Sequence, residues 1–405
     1  MAHVLEGIKV VDLSQVAAVP MAARHLADFG ADVIHVEHPA RGDTWRIVGS
    51  GISGDVGFGI TSDIKYIWEN YNRNKRGITL DLSKDSGRQI MYKLLEKSDV
   101  FLTNMRLFEL EKFKLEYDTI SKLNPRIIYS SLTSFGKKGD DRNLPGYETN
   151  AYFSRSGVHH VLQEVGGHPF APPLGSGDNV AALAMAYGIM MALLVREKTG
   201  IGQEVDISLL QTGIYQISID VAGSLVTGRD RQMLPREDAA MAPSNYFLSK
   251  DEKWLRVVIN DQHWAGFCRA IEREELEHDP RFEVFKDRQQ NHTPLFGILK
   301  EVFKTRTLAE WKTRLNGNDC PWAPVQNLPE VVNDPQARVN DFFVPIDHPE
   351  YGRMEVVASP INLSKTPASI RTPAPEFSQH TEEVLLELGY TWEEIAQFKE
   401  QRIVA

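Results

Sequence analysis

GIKVVDLSQVAAVPMAARHLADFGADVIHVEH, residues 7–38, carries the pattern that decides the fold. Ile8 to Ser14 is a short Val- and Leu-rich run, Met21 to Phe29 has helical apolar spacing, and Asp32 to Glu37 is a second β-rich run. Strand, helix and strand joined this tightly predict a parallel pair with a right-handed crossover. The turn between them, Ser14-Gln15-Val16-Ala17-Ala18, has no glycine. It therefore lacks the tight pyrophosphate turn of dinucleotide-binding folds.

Outward from this unit the alternation continues. Gly77 to Leu82, Val100 to Asn104, Ile127 to Leu132 and Glu204 to Leu209 read as further strands, with Ser86 to Lys97 among the helices between them. Apolar strands separated by helices predict an α/β fold on a parallel sheet covered on both faces. The character changes near residue 226. A polar stretch, Arg229 to Ser244, precedes a hairpin over Tyr246 to Val258, and helices follow around Trp264, Leu295 and Trp311, so a second, smaller domain is expected. Pro321, Pro324, Pro329, Pro335 and Pro345 then suggest an extended connector. Near the end, Thr391 with Glu394 three residues on reads as a capping box after Gly389.

The 405 residues are 42% hydrophobic and 25% charged, enough to build a large core. With only two cysteines, no disulfide framework is expected, and a reducing, cytoplasmic setting fits. The first residues have no export-signal pattern. Val180 to Val195, the longest apolar run, is shorter than the ~20 residues that span a bilayer and reads as a core helix. A net charge of −10 argues against nucleic-acid or anionic-membrane partners. The N-terminal third nevertheless gathers His38, Arg41, Arg46, Arg73, Lys75, Arg76, Arg106, Lys112, Lys137 and Lys138, a set that suits a small polyanion or an ordinary mixed surface.

Gly49 to Gly54 matches G-x-G-x-x-G but follows no strand and opens no helix, so it predicts no nicotinamide or flavin site. His159, His160 and His168 lack metal-ligand spacing, and no nucleophile-elbow serine motif is present. The informative stretch is Gly175-Ser176-Gly177-Asp178 ahead of the apolar helix. Asp178 reads there as an N-cap, kept ionised by the helix dipole. A fixed carboxylate among small neighbours also meets the needs of a covalent nucleophile.

Taken in order, several motifs make the chain resemble the family III CoA-transferases, the group with the formyl-CoA, carnitine, phenyllactate and benzylsuccinate enzymes. They are LEGIKVVDLS at 5–14, LADFGADVIHVE at 26–37, NRNKRGITLDL at 72–82, SDVFLTNMR at 98–106, LNPRIIYSSLTSFGKKG at 123–139, LPGYE at 144–148, REKTGIGQEVDISLL at 196–210 and HDPRF at 278–282. The resemblance implies a Rossmann-like large domain whose sheet is built from both chain ends, with an inserted α+β domain, in an interlocked homodimer. Residues 1–225 would form the first part of the CoA-binding domain, 226–325 the small domain, and 326–405 the connector and return.

By the same resemblance Asp178 is the nucleophile. Val16 and Ala18 face the thioester, His38 and Leu80 lie by the nucleotide, Asn104 and Met105 line the pantetheine path, and Arg106 and Lys112 sit near the phosphates. Gln15, Tyr147 and Glu148 belong to the substrate pocket. Acyl-CoA and a free acid are the implied substrates, with no metal or tightly held cofactor. Two departures stand out. Ala17 occupies a position where several relatives carry a side-chain amide, and Arg229 to Ser244 lacks the glycine run of the formyl-CoA subgroup. The second departure points to the branch that handles larger acids. Two alternatives share the fold. A racemase would need a histidine base where Gly146-Tyr147-Glu148 stands, and a noncatalytic CoA-binding protein would need no acid at 178.

Overall fold

A computed structural model describes residues 3–48, 62–238, 241 and 243–405. The glycine-rich stretch from Gly49 to Gly59 lies outside the described residues. Six strands, β1 (Lys9–Leu13), β2 (Asp32–Glu37), β3 (Lys75–Thr79), β4 (Val100–Thr103), β5 (Ile128–Thr133) and β6 (Glu204–Ser208), form one sheet in the order β3-β2-β1-β4-β5-β6. Every pairing in it is parallel. That order reverses direction between β1 and β4, and ligand crevices of open α/β sheets open at such a point, beyond the carboxyl ends of the strands.

Alternate strand residues feed two cores. Val10, Val33, Val100, Leu102 and Ile128 face one apolar cluster, while Val11, Ile34, Ile78, Phe101 and Tyr129 face the other. The helices preceding the site are α1 (Ala18–Asp28), α2 (Tyr66–Asn72), α3 (Asp85–Glu96), α4 (Leu107–Phe113), α5 (Tyr117–Leu123) and α6 (Val158–Leu162). After them come α7 (Ser176–Thr199), α8 (Leu209–Gln216) and α9 (Ser218–Thr227). Helix α7 runs 24 residues, longer than the apolar run alone suggests, and by length and composition it could cross a membrane. Here Ala181, Ala182, Met185, Ile189 and Leu193 sit in the first core beside α1.

The chain divides into two compact units, one of residues 1–162, 169–228 and 339–405, the other of 163–168 and 229–338. In the first, the C-terminal end contributes no strand to the six-stranded sheet, contrary to expectation. It covers the sheet's edge instead. Asn74 donates to Thr372 O and Asp81 to Ile403 O, while Gly77 and His380 exchange bonds. The other unit has an antiparallel sheet of β7 (Tyr246–Leu248), β8 (Trp254–Val257) and β9 (Trp322–Pro324) around Phe247, Phe267, Phe303 and Trp311. The proline-rich stretch is less extended than expected. Pro329 and Pro335 start short helices, Leu328–Val332 and Pro335–Val339, because proline fits a first helical turn.

Candidate active site

At the reversal point, β1 and β4 end on a pair of residues that bind each other. Asn104 Oδ1 accepts the Gln15 N–H at 3.1 Å, and Asn104 Nδ2 donates to Gln15 O at 2.8 Å. The next residue, Val16, has φ of 71°, in the left-handed region that a β-branched side chain rarely enters. Its N–H is held by Asp43 Oδ2 at 3.0 Å, and Asp43 Oδ1 accepts from Trp45 N at 2.8 Å. Strain persists where surrounding bonds over-determine it, and such residues cluster at functional sites. Ala17 and Ala18 follow, buried at the start of α1. Nothing in the sequence pattern marked Asp43, since a single acidic residue in a polar loop looks like any other.

Beneath this loop lies a buried charge cluster. Lys75 Nζ contacts Asp12 Oδ2 at 2.9 Å and Asn72 Oδ1 at 2.8 Å, and His35 Nδ1 meets Asp12 Oδ2 at 2.8 Å. Burial would raise the Asp12 carboxyl, but Lys75 and His35 outweigh it and hold it well below the carboxylate range. Burial pulls Lys75 down from its ordinary value, against the attraction of Asp12.

The start of α7 differs from the expected cap. Gly175, at φ of 79°, is the N-cap, and Asp178 lies inside the first turn. The terminal amides are taken by Glu148, whose Oε1 accepts from Gly175 N at 2.5 Å and whose Oε2 accepts from Gly177 N at 2.7 Å and Asp178 N at 3.1 Å. Glu148 is 3% exposed, at the head of a segment with π-type helical bonding, Glu148–Arg155. It thus takes the role assigned to Asp178. The available signal was a helix starting on Gly-Ser-Gly, which leaves amides for an outside acceptor.

Asp178 is half-buried, and no donor among the described residues bonds its carboxylate. Burial, then the charge of Glu148, pushes its carboxyl up to about 7. This corrects the expectation of a carboxylate kept ionised by the dipole, because Glu148 already occupies that position. Tyr71 completes the turn. Its hydroxyl donates to Asn179 Oδ1 at 3.3 Å and is so close to Gly175 that a Cβ there would collide with it.

The remaining candidates spread around this centre. Gln15 is exposed and Val16 half-buried, with His38, Asn104 and Met105 also half-buried. His38 Nδ1 accepts from Ala40 N at 3.1 Å. Leu80 is 2% exposed, its side chain belongs to the second core, and its N–H donates to Glu37 O at 2.8 Å. Tyr147 is 67% exposed, with its N–H on Asn150 Oδ1 at 2.7 Å. Arg106, the N-cap of α4, and Lys112, within it, are exposed, with Arg106 beside Glu109 at 3.4 Å. Much of the basic neighbourhood is neutralised internally: Arg46 by Glu37, Arg73 by Asp28, Lys75 by Asp12, Arg76 by Asp32, Glu383 and Glu387, and Lys137 by Glu204. Arg41, Arg106, Lys112 and Lys138 are the cations at the surface of that set.

A doubly wound parallel sheet, with a strained loop at its reversal point and a helix start that carries a carboxylate pair, defines an α/β protein with a candidate active site. Residues 5–381 match the model of CoA-transferase family III, and the chain belongs to that family. Family members transfer CoA between carboxylic acids, and so does this enzyme. It is 34% identical to the (R)-2-hydroxy-4-methylpentanoate CoA-transferase of Clostridioides difficile, over 99% of each chain. It is 29% identical to the cinnamoyl-CoA:phenyllactate CoA-transferase of Clostridium sporogenes, over 99% of this chain and 97% of that one. A CAIB/BAIF family protein from Brucella suis has the same fold, with a TM-score of 0.81 at 26% identity over 96% of this chain and 100% of that one.

Proposed function

We propose that Asp178 carries the transfer as a covalent nucleophile and that the acids exchanged are 2-hydroxy or aryl-substituted carboxylic acids. The observation that carries the reading is a half-buried carboxylate to which no donor among the described residues is bonded, beside a helix terminus whose amides Glu148 already satisfies. A carboxylate left unbonded is available to attack. Its oxygen adds to the thioester carbonyl of the donor, and the C–S bond breaks to give a mixed anhydride and CoA thiolate. The thiolate attacks the Asp178 acyl carbon, releasing the donor acid and leaving an aspartyl-CoA thioester. The incoming carboxylate then displaces CoA as thiolate through a second anhydride, and the thiolate takes the new acyl group, freeing Asp178. The amides of Ala17 and Ala18 are suited to steady each oxyanion. The pantetheine and phosphates would run past Asn104 and Met105 toward His38, Arg106 and Lys112.

Racemisation needs an acid and a base flanking the α-carbon; the carboxylate beside Asp178, Glu148, has both oxygens engaged by amides, and Tyr147 stands where a racemase would need its histidine. That supports transfer over the isomerase reading. The acid class comes from the two relatives named above and from the missing glycine run. We place the enzyme in the cytoplasm as a homodimer. Helix α9 has no buried residue, and Ile219, Leu225 and Val226 are each more than 80% exposed, an apolar surface that a second copy would cover. Incubating the enzyme with acyl-CoA donors and hydroxylamine, followed by peptide mass spectrometry, tests the mechanism. A hydroxamate at Asp178 is expected, and turnover with Asp178 unmarked would rule it out. Pairing each donor with a panel of free acids tests the substrate class.

A further inference from the structure

We propose that Tyr71 is a positioning residue for the nucleophile turn, anchored through Trp45 and Asp43 to the β1–α1 loop, so that one bridge sets both loops of the reaction centre. The inference rests on Asp178 being the nucleophile. Tyr71 is 5% exposed, and its ring meets Trp45 edge-on, with centroids 4.4 Å apart. A phenylalanine would fill that space equally well, so packing leaves the hydroxyl unexplained. The hydroxyl bonds Asn179 and fills the space that a Cβ on Gly175 would need, which places it beside residues on both sides of Asp178 in the chain. Since no donor among the described residues fixes the Asp178 carboxylate, its aim depends on how that turn is held. Burial and then the charges of Asp178 and Glu148 push the phenol well above its ordinary value, so it stays a neutral donor.

The other end of the bridge is equally specific. One oxygen of Asp43 takes the Trp45 N–H and the other takes the N–H of strained Val16. Moving Trp45 therefore shifts Tyr71 on one side and the loop carrying Ala17 and Ala18 on the other.

The test is a rapid-mixing measurement of adduct formation on Asp178, in wild-type enzyme and in Tyr71→Phe, Asp43→Asn and the double variant. Tyr71→Phe should slow adduct formation about ten- to a hundredfold, the loss that small misplacements of reacting groups cause. The melting temperature and the KM for acyl-CoA should stay near wild type. The double variant should be no slower than the slower single one, because both changes break one bridge. Multiplying losses would overturn the bridge, as would wild-type adduct rates in Tyr71→Phe. A drop in melting temperature with kcat unchanged would reduce Tyr71 to a packing residue. Should Asp43→Asn fail to fold, Trp45→Phe takes its place in the comparison, with the same expectation for the double variant. Absence of any adduct in the wild type would overturn the nucleophile itself, and the bridge with it.

Discussion

Replacing Asp178 with Asn removes one charge and keeps the side-chain size, so it separates the energetics of the position from its chemistry. The folded carboxyl ionises near 7, whereas an unfolded aspartate does so near 3.9. Between those values the folded state binds more protons, so stability falls as pH rises from about 4 to 7. Asp178→Asn should thus be more stable than wild type at pH 8, by about 1–3 kcal/mol, and equal to it below about pH 4. Urea unfolding at the two pH values measures this, and equal stability at pH 8 would contradict the raised ionisation. Transfer should vanish in the same variant. In wild type, single-turnover adduct formation should climb between about pH 6 and 8 as the carboxylate forms. Asp178 stood out in the sequence as a candidate through the Gly-Ser-Gly-Asp start of an apolar helix, inside whose first turn it lies. Its electrostatics did not, because they come first from burial and then from the charge of Glu148, thirty residues earlier in the chain and brought to it only by folding.

Among elements, the sheet was the most legible, since each of its strands coincides closely with an apolar run read from the sequence. The exception is β3, which starts at Lys75 rather than Gly77. A lysine followed by an arginine does not look like strand interior. Lys75 fits because its ammonium meets Asp12, and that ion pair could not be foreseen from residues 63 positions apart. The pair makes a sharp prediction. Lys75→Met leaves the Asp12 charge buried without its main partner, which should cost about 3–5 kcal/mol. Asp12 is held below its ordinary range, so its stabilisation is present at neutral pH and is lost as acidification passes below about 4. Chemical denaturation of the variant at pH 7 gives the size of the effect. A loss under 1 kcal/mol would mean the cluster is solvated or rearranged. The loops were least legible. Val16 looks unremarkable in sequence, and its left-handed conformation is held by the bond its N–H donates to Asp43 and by the Asn104 bonds on Gln15 beside it.

For the whole molecule, the exposed apolar helix α9 yields the clearest expectation. Charges at Ile219 and Val226, as in an Ile219→Lys and Val226→Lys double variant, should split the proposed homodimer or make it aggregate, because a desolvated interface tolerates unpaired charge poorly. Sedimentation velocity reads this directly, and an unchanged dimer would place the interface elsewhere. The cover of the sheet edge by the C-terminal residues has another consequence, for how the enzyme is made in the cell. Ile403 and Val404 are buried, and Ala405 N donates to Thr79 Oγ1 at 2.8 Å. During translation, β3 emerges more than three hundred residues before the segment that seals it. At typical synthesis speeds that leaves an open sheet edge on the ribosome for some tens of seconds. Nascent chains are therefore most exposed to chaperone capture and mispairing in that interval.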